Sequence, residues 1–145
     1  MTALPTVGGD DGTWGTILNA YLQTEHTSTG THTLTAGLIT ENINTVTSSG
    51  ATETIPAPTS QTITNLTLTS NCTITLPTPV AGQSFTLLLH QDGTGSRTVT
   101  WTGSVLWSGG IAPTLTTTAA ALDVICFLCV DGTNWIGFVS GQDMK

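Results

Sequence analysis

Leu122-Asp-Val-Ile-Cys-Phe-Leu-Cys-Val130 is a nearly continuous apolar run that leads through Asp131-Gly-Thr-Asn134 into Trp135-Ile-Gly-Phe-Val-Ser140. An apolar run of this length, bounded by turn residues, is typical of a strand that is buried on both faces. Asp-Gly is a strong signal for a tight turn between two strands. The stretch therefore predicts an antiparallel hairpin whose first strand lies at the centre of a sheet.

Shorter segments with β-type patterns precede this hairpin. Arg97–Thr102 alternates in polarity, and the turn cluster Asp92–Ser96 ahead of it predicts a second hairpin with the apolar segment Ser84–His90. Roughly six to eight regularly spaced strands favour an antiparallel sandwich or barrel. We therefore predict a mainly β chain with an antiparallel β-sandwich or barrel head over residues 59–145. The other candidate strands are Gln61–Thr69, Cys72–Leu76 and Val105–Trp107.

The composition is poor in charge and rich in threonine. The 145 residues include 2 Lys+Arg and 9 Asp+Glu, for a net charge of −7, and roughly a quarter of all residues are Thr. Two cations cannot line a nucleic-acid groove or hold an anionic membrane surface, so neither partner is expected. The sequence has no apolar run of transmembrane length and its start lacks the pattern of a secretory signal, so we expect synthesis in a cytoplasm and no membrane insertion.

One amphipathic helix is predicted near the N-terminus, after a possible cap at Thr13. Its apolar residues are spaced by three and four positions, which places them on one helix face. A helix of about ten residues is too short to be stable alone in water, so this face must pack on a partner. We assign residues 1–26 to an anchoring segment. The predicted partner-binding residues are Trp14, Ile17, Leu18, Tyr21 and Leu22.

Residues 27–58 are rich in Thr, Ser and Gly, and their apolar positions are scattered. They show no sustained heptad and too few apolar groups to bury a core within one chain. Two interpretations remain, a disordered linker or an extended stalk that is ordered by winding with identical copies. Pro56-Ala-Pro58 is predicted to mark the boundary with the head.

No catalytic pattern is present in the sequence, which lacks a nucleophile elbow, a Walker loop and a Rossmann loop. We predict no enzymatic activity and no cofactor. Cys126 and Cys129 have CxxC spacing, but residues three apart in a strand lie on opposite faces, about 10 Å apart, so buried cysteines are favoured over a metal or disulfide site. His26 and His32 could bind metal at the axis of an assembly. A solvated helix exit is favoured, and no metal site is assigned.

Four residues are candidates for contact with a receptor. Trp101 and Trp107 flank a loop of small residues, where an exposed indole could stack on a sugar ring, although core packing is the favoured interpretation. Asp92 and Arg97 lie at the two ends of the turn that precedes Trp101. Arg97 could pair with Asp92 or Asp123, or contact a ligand itself.

Two stretches resemble bacteriophage tail-fibre and related virion proteins. Gly12-Thr-Trp-Gly-Thr-Ile-Leu-Asn-Ala-Tyr-Leu-Gln-Thr-Glu-His26, with Thr27-Ser-Thr-Gly-Thr-His32 after it, resembles their N-terminal attachment segment. The residues from Gly82 to Trp101 and Trp107 to Thr116, then Asp123-Val124 and Asp131 to Trp135, resemble their compact β heads. The order of anchor, Thr-rich stalk and head strengthens the match.

This resemblance implies an intertwined homotrimer in the virion, fixed to other virion proteins by its N-terminus. The head would then bind the host surface, with a glycan as the expected ligand. The competing hypothesis is a purely architectural collar, baseplate or capsid decoration protein without a receptor. A depolymerase is a distant third hypothesis.

Overall fold

The computed structural model describes residues 41–59 and 61–145, which belong to the second of two compact units, Thr40–Lys145. This unit is built from strands and one short 3-10 turn at Ser108–Gly110. The mainly β class predicted from the sequence is confirmed. The strands are β1 (Ile43–Val46), β2 (Thr52–Thr54), β3 (Ile63–Leu68), β4 (Cys72–Thr75), β5 (Ser84–Gln91), β6 (Val99–Thr102), β7 (Val105–Leu106), β8 (Leu122–Leu128) and β9 (Trp135–Met144).

The strands form two sheets, and the chain alternates between them from β1 to β7. The six-stranded sheet has the order β1-β3-β5-β8-β9-β7, and the three-stranded sheet has the order β2-β4-β6. Within the six-stranded sheet, β1, β3 and β5 run parallel, and all strands of the three-stranded sheet run parallel. The pairs β1–β2, β3–β4 and β5–β6 are therefore three stacked coils of a short β-solenoid.

Antiparallel pairing is limited to β8, which pairs with β5 on one side and β9 on the other. The predicted hairpin around Asp131 is confirmed as β8–β9. The predicted hairpin around Asp92 is wrong, because β5 and β6 lie in different sheets and the turn carries the chain between them. The prediction of an antiparallel head is corrected to a mixed architecture, in which a parallel solenoid is extended by an antiparallel pair.

The core lies between the inward sides of the two sheets. Alternate residues of β3, β5 and β8 are buried, as the period of two in a strand requires. Leu66 and Leu87 from the six-stranded sheet join one cluster with Ile74 from the three-stranded sheet. Because both sheets contribute to this cluster, they form one structural unit. Trp135, the first residue of β9, is fully buried and donates a hydrogen bond from Nε1 to the Pro77 carbonyl at 2.8 Å.

The solenoid also extends further toward the N-terminus than the sequence predicted. β1 and β2 pair with β3 and β4, and Ile55 is buried in the core. The β-domain therefore includes residues 43–58, which the prediction assigned to the stalk. The anchoring segment 1–26 with its five apolar residues, the rest of the stalk, and His26 and His32 lie outside the described residues.

A repeat in the sequence accounts for this extension. Thr54-Ile-Pro-Ala-Pro58 at the end of the first coil matches Thr75-Leu-Pro-Thr-Pro79 at the end of the second. Thr54 lies opposite Thr75 in the parallel register. The Ile55 N–H continues the pairing by donating to the Thr75 carbonyl at 2.9 Å, so equivalent residues of the two coils stack directly.

Candidate binding surfaces of the β-domain

The Asp92–Ser96 turn is held together by the carboxylate of Asp92. One oxygen, Oδ1, accepts hydrogen bonds from the backbone N–H groups of Thr94 at 3.0 Å and Gly95 at 2.8 Å. The other, Oδ2, accepts from Arg97 Nη2 at 2.7 Å and Nε at 3.1 Å. The hydrogen bond from Arg97 is the main reason that the pKa of Asp92 lies below its usual range. Asp92 and Arg97 thus pair with each other, as one of the predicted alternatives required.

Glycine is required at position 95 of this turn. Gly95 has a φ of 72°, and a Cβ there would lie 2.6 Å from the Thr117 carbonyl oxygen. Ser96 also has a positive φ, and its N–H donates to the same carbonyl at 2.7 Å. The turn is therefore packed closely against the segment around Thr117, and this packing fixes where Arg97 lies.

Two buried polar side chains support the same region. Sequence reasoning missed Gln91 and named Asp123 only as a possible partner of Arg97. Gln91 occupies an inward position of β5, where Nε2 donates to the carbonyls of Arg97 and Thr116, both at 2.9 Å, and Oε1 accepts from the Arg97 N–H at 2.9 Å. Asp123 in β8 accepts from the N–H groups of Thr116 at 2.6 Å and Asp143 at 2.9 Å. Each of these polar residues occupies a strand position whose alternate neighbours are apolar core residues, and this pattern could have identified them.

Trp101 and Trp107 belong to one aromatic cluster at the edge of the core. Their ring centroids are 5.3 Å apart, and they lie 5.9 and 5.7 Å, respectively, from the ring of Phe127. Both are partly buried, which agrees with the favoured interpretation of core packing. Trp101 Nε1 is buried and has no hydrogen-bond partner within the described ranges.

The ring of Trp107 lies directly on the backbone of β9 at Gly137. A Cβ at Gly137 would be 2.3 Å from Cζ3 of Trp107, so only glycine allows this contact. Beside it is a groove of about 310 Å³ that is lined by Trp107, Ser108, Ile111, Pro113, Gly137, Phe138 and Val139. Ile111 at its rim is 77% exposed. None of the seven lining residues carries a charge, so the groove fits an uncharged ligand.

Two other depressions differ from this groove in character. One of about 280 Å³ lies beside Arg97 and is lined by backbone and side chains of residues 97–99, 112–115 and 117. The other, of about 380 Å³, lies on the outward side of β5, β8 and β9, with Glu41 and Thr62 at its rim. The Thr62 hydroxyl donates to the Glu41 carboxylate.

The turn at Asp131–Asn134 joins β8 to β9, and the Asp131 carboxylate holds it together. Oδ1 of Asp131 accepts from the N–H groups of Thr133 at 2.8 Å and Asn134 at 2.9 Å, and these bonds lower the pKa of its carboxyl group. Sequence reasoning assigned this aspartate to turn geometry because Asp-Gly sits between two strands. The hydrogen bonds agree with that assignment.

The cysteines lie where strand alternation predicts them. Cys129 is fully buried and Cys126 is partly exposed on the opposite side of the strand. Burial raises the pKa of the Cys72 thiol, so it remains protonated at neutral pH. Residues 41–59 and 61–145 contain no cluster of three or more His, Cys, Asp or Glu suited to a metal ion. The same ranges contain no helix that is long and apolar enough to span a membrane.

Stacked β-coils with a sparingly charged surface, and turns held by the carboxylates of Asp92 and Asp131, are typical of a structural β-protein. Residues 53–135 match the family model described as "Putative phage tail fibre C-terminal domain". This match runs from β2 to the start of β9 and covers more than half of the 145 residues, so the chain belongs to this phage tail-fibre family. No curated protein and no solved structure matches the chain significantly.

The family establishes the broad function that the sequence predicted. The chain is a phage tail-fibre protein and a component of the virion. Tail-fibre proteins of this family are generally structural rather than enzymatic.

Proposed function

We propose that this protein is a short, homotrimeric phage fibre that binds an uncharged glycan on the host surface through its β-domain. In this proposal residues 1–26, with the apolar face from Trp14 to Leu22, attach the fibre to other virion proteins. The groove at Trp107 is the observation that carries glycan binding, because it combines an aromatic ring, exposed apolar side chains and an uncharged lining.

The chemistry of the groove suits a neutral sugar. Sugar rings have apolar faces that pack on indole rings, and their hydroxyl groups bind the backbone and serine groups nearby. Anionic sugars would need a free cation. The two cations in the described residues are both paired, Arg97 with Asp92 at 2.7 Å and Lys145 with Asp143 at 2.9 Å. The binding position therefore shifts from the predicted pair Asp92 and Arg97 toward Trp107 and Ile111.

A groove variant with a matched control tests the proposal. Ile111 is 77% exposed and Val130 is 65% exposed, so alanine at either position should leave the fold intact. We expect fluorescently labelled wild-type protein and Val130→Ala to bind host cells equally, and Ile111→Ala to bind at least about fivefold more weakly, since one lost apolar contact costs on the order of 1 kcal/mol. A glycan array with the same three proteins would identify the sugar. Equal binding by all three proteins would contradict the assignment to the groove.

The architectural alternative is favoured by one specific observation. Asp92, Arg97, Trp101 and Trp107 all make contacts within the fold that account for their presence. If the wild-type protein attaches to virus particles but binds neither host cells nor glycans, the protein has this architectural role and the glycan proposal is wrong.

A further inference from the structure

The outward side of the six-stranded sheet is unusually apolar. Because Leu87, Ile125 and Phe127 point into the core, the residues between them point away from it. The register aligns these outward residues across three strands, with Leu88 opposite Val124. We call this surface the apolar face. Its apolar members are Ile43, Ile63, Leu88, Val124, Leu128, Ile136 and Phe138.

Several of these side chains are left in contact with solvent. Ile43 is 54% exposed, Phe138 is 48% exposed and Leu128 is 39% exposed. A sheet whose second face meets water normally alternates apolar inward and polar outward residues. The apolar face departs from this rule in β8, whose outward residues are Leu122, Val124, Cys126 and Leu128, and at Leu88 of β5. It also carries the depression of about 380 Å³ described above, so its surface is concave between Thr86 and Phe138.

Charge argues for a second copy of the same chain as the occupant. The chain has a net charge of −7, so two copies repel each other wherever their carboxylates approach. The outward positions of β1, β3, β5 and β8 hold no Asp, Glu, Lys or Arg, and Glu41 is the one charged residue that lines the depression. Two copies can therefore meet at this face with their acidic turns, such as those at Asp92 and Asp131, kept apart.

The size of the face fits an interface between copies. β5 has eight residues and so spans about 26 Å, and four neighbouring strands at about 4.8 Å spacing add a width of about 19 Å. The flat area is then about 500 Å², before the relief of the side chains is counted. A stable interface needs about 800 Å² of accessible surface from each partner, and in a trimer this face is shared between two neighbours, so it would supply part of each interface.

We infer that the apolar face is the surface through which copies of this chain pack together, with the six-stranded sheets facing a common three-fold axis. This inference rests on the proposed homotrimer and adds the face that forms it. Closed symmetry explains why each chain presents the same face inward, and the three-stranded sheets then point outward to solvent.

The test places a charge on each side of the sandwich. Leu128→Asp puts a carboxylate on the apolar face, outside the Trp107 groove, and Thr100→Asp puts one at an exposed position of β6 in the other sheet. Multi-angle light scattering across a dilution series gives the mass of each full-length protein. We expect trimers for the wild type and Thr100→Asp, and for Leu128→Asp a dissociation midpoint raised at least tenfold in concentration.

Circular dichroism keeps the test interpretable, because a Leu128→Asp protein that unfolds would lose its β signal. If Leu128→Asp unfolds, the milder Leu128→Ser variant is measured in its place, and its dissociation midpoint should also be raised. If both folded Leu128 variants stay as trimeric as Thr100→Asp, the apolar face is not the interface, while the homotrimer stands. A monomeric wild type would instead overturn the proposed homotrimer itself.

Discussion

The two sheets of the β-domain share one core but present opposite chemistry on their outer sides. On the three-stranded sheet, outward threonines lie in register, with Thr52 opposite Thr73 and Thr73 opposite Thr100. A second row joins Thr54 to Thr75 and Thr102. On the six-stranded sheet, the equivalent positions form the apolar face. The inner sides are constrained alike by the core, so the difference between the outer sides reflects what each one meets.

Threonine suits a strand surface that stays in water. Its branched Cβ favours the extended backbone, and its hydroxyl can bond to water or to the neighbouring strand. Thr102 shows the second use, since its Oγ1 donates to the Ile74 carbonyl at 3.1 Å and to Thr75 Oγ1 at 2.9 Å. The hydroxyl face is therefore stable without a partner, whereas the apolar face gains free energy when it is covered.

The largest effect is expected in the core that unites the two sheets. Leu87→Ala removes a fully buried side chain from β5, and the cavity should lower the free energy of unfolding by about 3 kcal/mol. Urea unfolding followed by circular dichroism and by tryptophan fluorescence measures this loss. The two probes should give one shared transition, because Trp135 and Trp101 report from different sheets of one unit.

Leu106→Ala is the control for this experiment, because Leu106 is exposed in β7 and its loss leaves no cavity. Two separate transitions in the Leu87→Ala protein would show that the two sheets unfold independently. Their outer sides could then not be compared as two surfaces of one folding unit.

A smaller loss in the free energy of unfolding is expected where the aromatic cluster contacts β9. Gly137→Ala forces the Trp107 ring off the backbone, which should cost about 1–3 kcal/mol through overpacking. Gly93→Ala is the matched control, because a Cβ there meets no atom within 4 Å and its φ is not positive. Thermal unfolding of both variants checks the prediction. Equal midpoints for the two proteins would show that Trp107 does not depend on this contact.

The turn that carries the chain between the sheets should show a pH-dependent contribution. The pKa of Asp92 is lowered in the folded protein, so its carboxylate stabilises the fold above the unfolded value of 3.8 and loses that effect as the pH falls through the lower folded value. Asp92→Asn should therefore have a lower thermal midpoint than the wild type at pH 7. The difference should shrink below pH 3.8, and a difference that is constant down to pH 2 would contradict this cause.

The smallest effect is expected on the hydroxyl face. Thr75→Val removes a partly solvated acceptor of the Thr102 hydroxyl but keeps the branched shape, so the free energy of unfolding should fall by less than about 1 kcal/mol. Chemical denaturation measures this change, and light scattering should show an unchanged mass. A loss as large as that of Leu87→Ala would mean that the hydroxyl face is not a simple solvated surface.

The β8–β9 hairpin could be predicted from the sequence because its signal is local. Asp131 bonds to N–H groups two and three residues ahead, and the strands it joins are neighbours in one sheet. Asp92 has the same kind of signal and equally local bonds, yet its strands lie in different sheets. Turn chemistry alone does not say which sheet the next strand joins.

Parallel pairing was missed for a related reason. β3 and β5 pair over a separation of 23 residues, with Ile63 opposite Thr86, and no short turn marks such a pair. The usable signal was the repeat of Thr-Ile-Pro at 54–56 as Thr-Leu-Pro at 75–77. In the candidate site, Asp92 and Arg97 are close enough in sequence that their pairing was one of the predicted alternatives. The groove at Trp107 depends on β9 lying beside β7, which no local pattern shows.

The stacking of coils also constrains how this protein can change in length. An inserted residue within β4 would turn Thr75 into the core and Ile74 toward solvent. Insertions are tolerated where the chain crosses between sheets, and the third coil is longer than the second because of its Asp92–Thr98 crossing. Elsewhere, the domain can lengthen only by whole coils. Each duplicated coil of about 20 residues would add one strand to each sheet, lengthen the stack by about 4.8 Å and extend both outer surfaces by one identical row.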